Sequence, residues 1–252
     1  MPPDVPRSID LNADLGEGVG DDAALMQLVT SANIACGGHA GGGAVMRTAL
    51  TQARDHGVTA GAHPGYADRA NFGRVVVPMT ADAITAMVAA QVTAACNMAA
   101  EVGHRIAYVK PHGALYNLAA TDAAVSGAIC DALHPTGLVL LCLSGSVTER
   151  VARATRIPVA AEIFADRAYR PDGTLVPRGT PGAVIHDAQA VVARVLDMLR
   201  TGTVTAVDGT ALPLAMDSLC LHGDTPGAVT LARLLRAAII AEGVRIAPFA
   251  TR

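Results

Sequence analysis

The segment 107–117, with the sequence AYVKPHGALYN, carries two side chains suited to acid–base or electrostatic chemistry, Lys110 and His112. Lys110 is the only lysine among the 19 lysine and arginine residues of the chain, so its ammonium indicates a task that needs a compact, titratable charge. The alternative is a single surface lysine before a turn. The run 105–109 favours a β-strand, and Pro111 ends it because proline donates no ladder hydrogen bond. Both side chains are therefore predicted where a strand passes into a loop, the usual place of catalytic groups in α/β folds.

Ionisable or polar residues follow most of the other predicted strands in the same way. In a parallel barrel the carboxyl ends of all strands share one face, so these side chains are predicted to form a single polar rim. A rim that only meets water has no need for so many histidines. Besides Lys110 and His112 the residues are Asp10, Asn12, Asp14, Glu17, His39, His63, Glu162, Asp166, Arg167, His222 and Asp224.

Short strands alternate with helices along the whole chain, which predicts an α/β fold with a parallel sheet. About seven such units favour a closed or nearly closed barrel over a doubly wound sheet, and no G-x-G-x-x-G pattern follows the first strand. One domain, 1–252, is predicted. The predicted strands are 8–12, 32–35, 58–62, 105–109, 139–143, 159–164 and 219–221. The predicted helices are 22–29, 44–56, 81–102, 122–133, 146–155, 186–200 and a last one that begins at Thr225 and Pro226 and ends at Glu242.

The composition of the chain indicates which kinds of binding partner and which cellular compartment to expect. The net charge is −3 without a basic block, which argues against nucleic acid or an anionic membrane as the main partner. The uncharged run 83–100 contains four polar residues, and we expect a buried or interface helix rather than a membrane span. Five cysteines without C-x-x-C spacing indicate reduced thiols, and no signal peptide is recognisable in 1–10, so a cytoplasmic location is predicted.

Two loops are predicted to take part in binding. The segment 164–182 is long and rich in turn residues, which is typical of a lid or a docking surface. His222 and Asp224 precede a helix N-terminus, where backbone N–H groups attract phosphate or carboxylate. A Walker A loop needs a lysine between glycine and serine or threonine, and the lone lysine of this chain stands between Val109 and Pro111. The sequence therefore has no Walker A loop. If ATP is used, it is held in another way or by another chain.

The strand-end and loop segments of this chain resemble those of the LamB/YcsF family. Members of this family are described as the A subunit of bacterial ATP-dependent 5-oxoprolinase. The chain departs from the family pattern at Gly42 and Val75, where a carboxylate and a guanidinium are usual. The matching segments span nearly the whole chain in order: IDLNADLGEG (9–18), SANIACGGHAG (31–41), GAHPGY (61–66), FGR (72–74), YVKPHGALYN (108–117), EIFADRAY (162–169), DGTLVPR (172–178) and HGDTPGAV (222–229).

The resemblance implies a distorted seven-stranded β/α barrel similar to the glycoside hydrolase/deacetylase superfamily. It also implies ATP-driven opening of 5-oxo-L-proline to L-glutamate together with subunits B and C, with ATP as co-substrate and magnesium on a partner subunit. Ring opening of a lactam needs a base for water and a cation for the developing oxyanion. We expect Asp14 or Glu17 to be the base and Lys110 to meet the charge on oxygen or phosphate. His39, His63, His112 and His222 are expected to transfer or position protons, and the predicted substrate or phosphate contacts are Asn12, Glu162, Asp166, Arg167, His222 and Asp224.

Two other functions remain open at this point. One is a metal-dependent hydrolase acting alone, such as a deacetylase, with Asp14, His39 and His63 as ligands of a divalent metal and an open position for water. The other is a non-catalytic subunit that captures a small carboxylate in the polar rim. The sequence does not decide between a monomer and a homo-oligomer.

Overall fold

The computed structural model describes residues 8–223 and 227–250 of the chain. Within these residues strands and helices alternate as the sequence predicts. The strands are β1 (Ser8–Leu15), β2 (Ser31–Ala35), β3 (Thr59–His63), β4 (Ile106–Val109), β5 (Val139–Leu143), β6 (Val159–Phe164), β7 (Thr203–Thr205), β8 (Ala211–Pro213), β9 (Ser218–Leu221) and β10 (Arg245–Ile246). The helices are α1 (Asp22–Met26), α2 (Gly43–His56), α3 (Ala81–Glu101), α4 (Gly113–Ala119), α5 (Ala123–Leu133), α6 (Val147–Ala154), α7 (Ala188–Thr201) and α8 (Ala228–Ala241).

Seven parallel strands close into a barrel. Their order is β1-β2-β3-β4-β5-β6-β9, and β9 pairs with β1 to complete the ring, with Asp10 opposite Ser218 and Ala13 opposite Leu221. β10 adds to the first residues of β1 outside the ring, and β7 and β8 form a separate antiparallel hairpin. The predicted seven-stranded β/α barrel is therefore confirmed.

Alternation along β1 separates a polar interior from an apolar shell. Asp10, Asn12 and Asp14 make side-chain hydrogen bonds to residues of other barrel strands, so this face of β1 points inward. Ile9 and Leu11 between them are buried in the apolar core that includes residues of the surrounding helices. Asp10 and Asn12 are 1% and 0% exposed, so these buried polar groups have to be satisfied by other protein groups, whereas Asp14 borders the open end of the barrel.

Several helix ends carry the capping residues that the sequence predicts. Thr80 accepts a hydrogen bond from the Ala83 amide, and Asp122 accepts from the amides of Ala124 and Val125. Gly57 ends α2 with φ +66°. Gly42, one of the two departures from the family pattern, precedes α2 with φ +81°, a conformation in which glycine is unstrained. The predicted cap at Thr225 and Pro226 lies outside the described residues.

The structure also contains elements that the sequence does not predict. The pattern predicts a loop after Pro111, but α4 begins at Gly113, and the hairpin β7–β8 and the short β10 are further additions. All of these elements are short and carry little periodic signal. β1 runs to Leu15, three residues beyond its predicted end, because its alternation continues until Gly16 adopts φ +73°. Asp14 consequently lies in the strand instead of the loop.

Helix α3 covers the uncharged run. By length and composition alone, it is the one helix of the described residues that could cross a membrane. In the structure it packs against α2, α5, β3 and β4, and Ile84, Val88 and Val92 are buried. It is therefore part of the helical layer around the barrel, as expected for a core or interface helix.

The long segment between β6 and α7 folds back over the carboxyl end of the barrel. Antiparallel bridges join Arg167 to Val184 and Tyr169 to Leu175. Arg167, which is 4% exposed, donates to the carbonyl oxygens of Val176 and Ala183. These bonds fix the segment as a wall beside the strand ends.

Candidate active site

A cavity of about 640 Å³ opens at the carboxyl ends of the barrel strands. Seven of the predicted site residues line it: Asp14, Glu17, His63, Lys110, His112, Arg167 and His222. Four more lie directly behind these and are joined to the cluster by hydrogen bonds or ion pairs: Asn12, His39, Glu162 and Asp166. Asp224 lies outside the described residues. The structure thus gathers around one space eleven of the twelve residues to which a catalytic or binding role is assigned. Asp10, the remaining member of the predicted rim, is buried inside the barrel and accepts hydrogen bonds from Ser31 and Ser218.

Lys110 sits at the inner end of the cavity with its ammonium surrounded by protein acceptors. Its Nζ lies 2.8 Å from Glu162 Oε1, 3.1 Å from Asp14 Oδ1 and 3.3 Å from Asn12 Oδ1. Burial lowers the pKa of Lys110, but Asp14 and Glu162 raise it more strongly, and it stays well above its usual value. Lys110 is therefore a permanent cation that orients two carboxylates.

Asp14 is the carboxylate between this ammonium and the histidines. Its Oδ1 accepts from Lys110 and from Asn33 Nδ2 at 2.8 Å, and its Oδ2 lies 3.4 Å from His63 Nε2. Burial raises the pKa of Asp14, but His63 and Lys110 lower it more, so it lies well below its usual value. A carboxylate held so strongly in its ionised form is a weak base, which makes Asp14 better suited to fixing charge than to removing a proton.

A hydrogen-bond chain behind Asp14 was not predicted. Tyr108 Oη donates to Asn33 Oδ1 at 2.6 Å, and Asn33 Nδ2 donates to both Asp14 and Asn12. The Tyr108 ring fills the space that Gly61 leaves, since a Cβ on Gly61 would overlap that ring. The inward alternation of Ser31 and Asn33 in β2 is the sequence signal from which Asn33 could have been found.

Glu162 is fully buried and is held from a second side by a residue of the unpredicted helix. Tyr116 Oη of α4 donates to Glu162 Oε2 at 2.7 Å, while Asn12 Nδ2 donates to Oε1 at 2.9 Å. Both carboxylate oxygens are therefore occupied by the protein. Glu162 anchors Lys110 and leaves no oxygen for a substrate.

Three histidines and Glu17 form a compact cluster on the other side of Asp14. One possible ligand atom from each of Glu17, His39, His63 and His112 lies within 4.8 Å of the others. His39 Nε2 is 3.1 Å from Glu17 Oε1, and His112 Nδ1 is 2.9 Å from His63 Nε2. This set differs from the predicted metal trio, because Glu17 and His112 belong to it and Asp14 stands at its edge.

The rings of His39 and His112 are held tightly and kept neutral. The rings of His39 and His112 stack with centroids 3.6 Å apart. Burial, with the neighbouring histidines, lowers the pKa of His39 far below its usual value and that of His112 to about 3. Gly65 and Gly73 pack directly on the rings, and a Cβ on Gly73 would lie 2.6 Å from His39 Cβ. Little room exists for these rings to move.

A separate pair, Asp166 and His222, faces the cavity from the last barrel strands. His222 Nδ1 lies 2.8 Å from Asp166 Oδ1 and 3.0 Å from Oδ2. Burial raises the pKa of Asp166, but His222 lowers it more, and the net pKa is below its usual value. An ionised Asp166 fixes the Nδ1–H tautomer, so that Nε2 is the nitrogen left for the cavity.

Arginine side chains supply positive charge to the cavity wall. Arg74, Arg170 and Arg178 line the cavity together with the buried Arg167. Burial and the neighbouring Arg178 lower the pKa of Arg167 to about 10, and its guanidinium is committed to backbone carbonyls. Carboxylates and phosphates are the ligands that guanidinium groups recognise best.

The model of the LamB/YcsF family matches residues 9–252. The chain belongs to the LamB/YcsF family. A relative from Paracidovorax citrulli that is named as the A subunit of 5-oxoprolinase is 47% identical over 96% of this chain and 99% of that protein. Another relative with this name, from Streptomyces avermitilis, is 49% identical over 96% of this chain and 100% of that protein. The resemblance inferred from the motifs is confirmed.

Solved structures agree on the barrel. A lactam utilization protein from Thermus thermophilus is 38% identical and superposes with a TM-score of 0.89 over 95% of this chain and 99% of that one. A protein from Enterococcus faecalis, described as a candidate for cellobiose-phosphate cleavage, shares the fold alone, at 13% identity and a TM-score of 0.57 over 97% and 98%. The same holds for the T48 deacetylase, at 12% identity and a TM-score of 0.52 over 97% and 89%.

Proposed function

We propose that this chain is the A subunit of an ATP-dependent 5-oxoprolinase, which opens 5-oxo-L-proline to L-glutamate while ATP becomes ADP and phosphate. The observation that carries the proposal is the Asp166–His222 pair beside an arginine-lined cavity, in a chain whose relatives of nearly equal length are named as this subunit. The substrate carries a carboxylate and an amide carbonyl, and the cavity offers cations and a proton acceptor for these groups.

His222 is the proposed proton-transfer group. In ring opening, the oxygen of water bonds to the ring carbonyl carbon, the bond from that carbon to nitrogen breaks, and the nitrogen gains a proton. His222 Nε2 takes the proton from water and returns it to the nitrogen, while Asp166 stabilises the imidazolium in between. The carboxylate of the substrate binds at the arginine wall, where Arg170 and Arg178 supply the charge.

ATP activation explains why a lactam opens at all. The amide is resonance-stabilised, and transfer of the terminal phosphoryl group of ATP to its carbonyl oxygen, with release of ADP, makes the ring carbon a better electrophile. Addition of water at that carbon and cleavage of the carbon–nitrogen bond then give an acyl phosphate, and a second water releases phosphate and L-glutamate. Because the sequence has no Walker A loop, we propose that ATP, with magnesium, is bound by subunits B and C, and that the activated substrate passes to this chain while the subunits are in contact. We also propose a cytoplasmic location for the complex, which the five free cysteines support.

The test is glutamate release from 5-oxoproline by the purified chain, alone and with subunits B and C, with and without ATP. We expect no turnover from the chain alone and ATP-dependent turnover on mixing. His222→Asn should abolish turnover in the mixture, and the matched variant His134→Asn, on an exposed residue, should not. Glutamate formation by the chain alone without ATP would overturn the proposal in favour of a stand-alone hydrolase. Binding of 5-oxoproline without turnover in the complete mixture would instead favour a binding subunit.

A further inference from the structure

The tautomers of His63 and His112 can be read from their backbone contacts. His63 Nδ1 lies 2.7 Å from the Lys110 carbonyl oxygen, and His112 Nε2 lies 2.9 Å from the Phe72 carbonyl oxygen. A carbonyl oxygen only accepts, so each of these nitrogens must carry the hydrogen. In the neutral rings His63 Nε2 and His112 Nδ1 are therefore both bare lone pairs.

These two lone pairs point at each other across 2.9 Å. Two acceptors at this distance repel unless a positive charge lies between or in front of them. A shared proton would bond to only one of the two nitrogens and would not serve the nearby Glu17 carboxylate. A metal ion satisfies both nitrogens at once, since two ligands at about 2.1 Å and a right angle are about 3.0 Å apart.

Glu17 supplies a third donor on the same side. Its Oε1 lies 3.6 Å from His112 Nδ1, a separation that fits two ligands of one ion at an angle near 120°, for bonds of about 2.1 Å. Asp14 Oδ2, 3.4 Å from His63 Nε2, borders the same point. Glu17 and Asp14 thus both place carboxylate oxygens near the point that the two bare nitrogens face.

His39 has a different relation to this point. Its Nδ1 has no hydrogen-bond partner among the described residues and faces Gly65, whereas its Nε2 lies 3.1 Å from Glu17 Oε1. A buried N–H without a partner is rarer than a buried lone acceptor, so the hydrogen of His39 belongs on Nε2 and is donated to Glu17. His39 is then a positioning residue that orients a ligating carboxylate.

We propose that His63 Nε2, His112 Nδ1 and Glu17 bind a divalent first-row transition metal ion, with His39 holding Glu17 and with the remaining coordination positions open to the cavity. Two imidazoles and one carboxylate on one side of an ion favour Zn²⁺, Fe²⁺ or Co²⁺ over Mg²⁺ or Ca²⁺. The backbone carbonyls behind both histidines are the partners that metal-binding imidazoles usually have. Such an ion would polarise an oxygen atom of a ligand in the cavity.

The test uses the full chain with any purification tag removed, stripped of metal with a chelator. Zn²⁺ is titrated by calorimetry, and Co²⁺ by its visible absorption. We expect one ion per chain with a Kd below about 1 µM, and a Co²⁺ spectrum that reports nitrogen and oxygen ligands. His63→Asn and His112→Asn should each weaken binding by at least about 100-fold, and the matched control His134→Asn should bind as the wild type does.

The positioning role of His39 has its own readout. His39→Gln keeps an N–H for Glu17 and should bind the metal more tightly than His39→Leu, which has none, with a difference of about 10-fold. Glu17→Gln keeps volume and removes the charge, so it tests the ligand set if a histidine variant fails to fold by circular dichroism. Absence of saturable Zn²⁺ and Co²⁺ binding by the wild type would overturn the proposal. Binding by Glu17→Gln, or by folded His63→Asn and His112→Asn, that equals the wild type would overturn it as well.

Discussion

Glu162 Oε1 lies 2.8 Å from Lys110 Nζ, and the two side chains are 0% and 3% exposed. Removing one partner of such a buried pair leaves the other charge without compensation. We expect Lys110→Met to lower the free energy of unfolding by about 3–5 kcal/mol and to reduce turnover of the complete enzyme by at least about 10²-fold. Urea denaturation and glutamate release measure the two effects.

A double variant tests whether Lys110→Met destabilises the chain by leaving the Glu162 charge unpaired or by changing the packing at position 110. Glu162→Gln in the Lys110→Met background removes the unpaired carboxylate, so the double variant should recover part of the lost stability. Equal stability of Lys110→Met and the wild type would show that the ammonium is not needed to balance Glu162. Lys110→Arg keeps the charge but enlarges a closely packed side chain, and we expect it to lose activity as well.

The Asp166–His222 pair predicts an effect on turnover. Asp166→Asn removes the charge that fixes the His222 tautomer while keeping the size of the side chain, so kcat should fall by about 10²–10⁴-fold. The thermal unfolding temperature should change little by comparison. Asp197→Asn, on a residue of α7 away from the cavity, serves as the control and should retain full activity. An unchanged kcat for Asp166→Asn would exclude His222 as the proton-transfer group.

The Tyr108–Asn33 hydrogen bond predicts a stability effect without a change in charge. Tyr108→Phe leaves Asn33 Oδ1 buried without a donor, which should cost about 1–3 kcal/mol of unfolding free energy. Asn33→Ala removes the same bond from the other side, so the double variant should cost less than the sum of the two single variants. Strict additivity would mean that the two side chains act independently.

Asp10 predicts a dependence of stability on pH. Burial raises its pKa to about 6, against the hydrogen bonds from Ser218, Ser31 and Thr30, so between about pH 4 and 6 the folded chain holds a proton that the unfolded chain has released. The contribution of Asp10 to the free energy of unfolding is fully present below about pH 4 and is lost as the pH rises through 6. The loss is about 3 kcal/mol, from about two pKa units at about 1.4 kcal/mol each.

Asp10→Asn removes this titration and should flatten the profile of unfolding free energy between about pH 4 and 6 relative to the wild type. Asp131→Asn, an exposed carboxylate on the outer helix α5, is the control and should keep the wild-type slope. Parallel profiles for the wild type and Asp10→Asn would contradict the raised pKa.

The barrel and most of its polar rim were accessible from the sequence because their signals are local. Strand ends marked by glycine and proline placed His39, His63, Lys110 and His112 on one face, and the structure brings them together at one cavity. The alternation of Asp10, Asn12 and Asp14 is also visible in the sequence. The predicted strand nevertheless ends at residue 12, so the inward direction of Asp14 was not predicted.

The partners of these residues depend on distances that no local pattern contains. Asn33 and Tyr108 are 75 residues apart, and Tyr116 reaches Glu162 across 46 residues from a helix too short to be predicted. The choice of Glu17 over Asp14 for the histidine cluster depends on where the chain turns after Gly16. Such contacts follow from the closed ring and its register.

The pairing of β9 with β1 has a consequence for biosynthesis. Asp10 receives a hydrogen bond from Ser218, 208 residues later in the chain, and within the described part of the chain β9 is the strand that closes the ring. A ribosome-bound chain that ends before Ser218 has open edges on both β1 and β6, and Asp10 and Asn12 lack their hydrogen bonds with Ser218. Closure is thus a late and long-range event, which slows folding and leaves incomplete chains prone to aggregate until the residues of β9 have emerged.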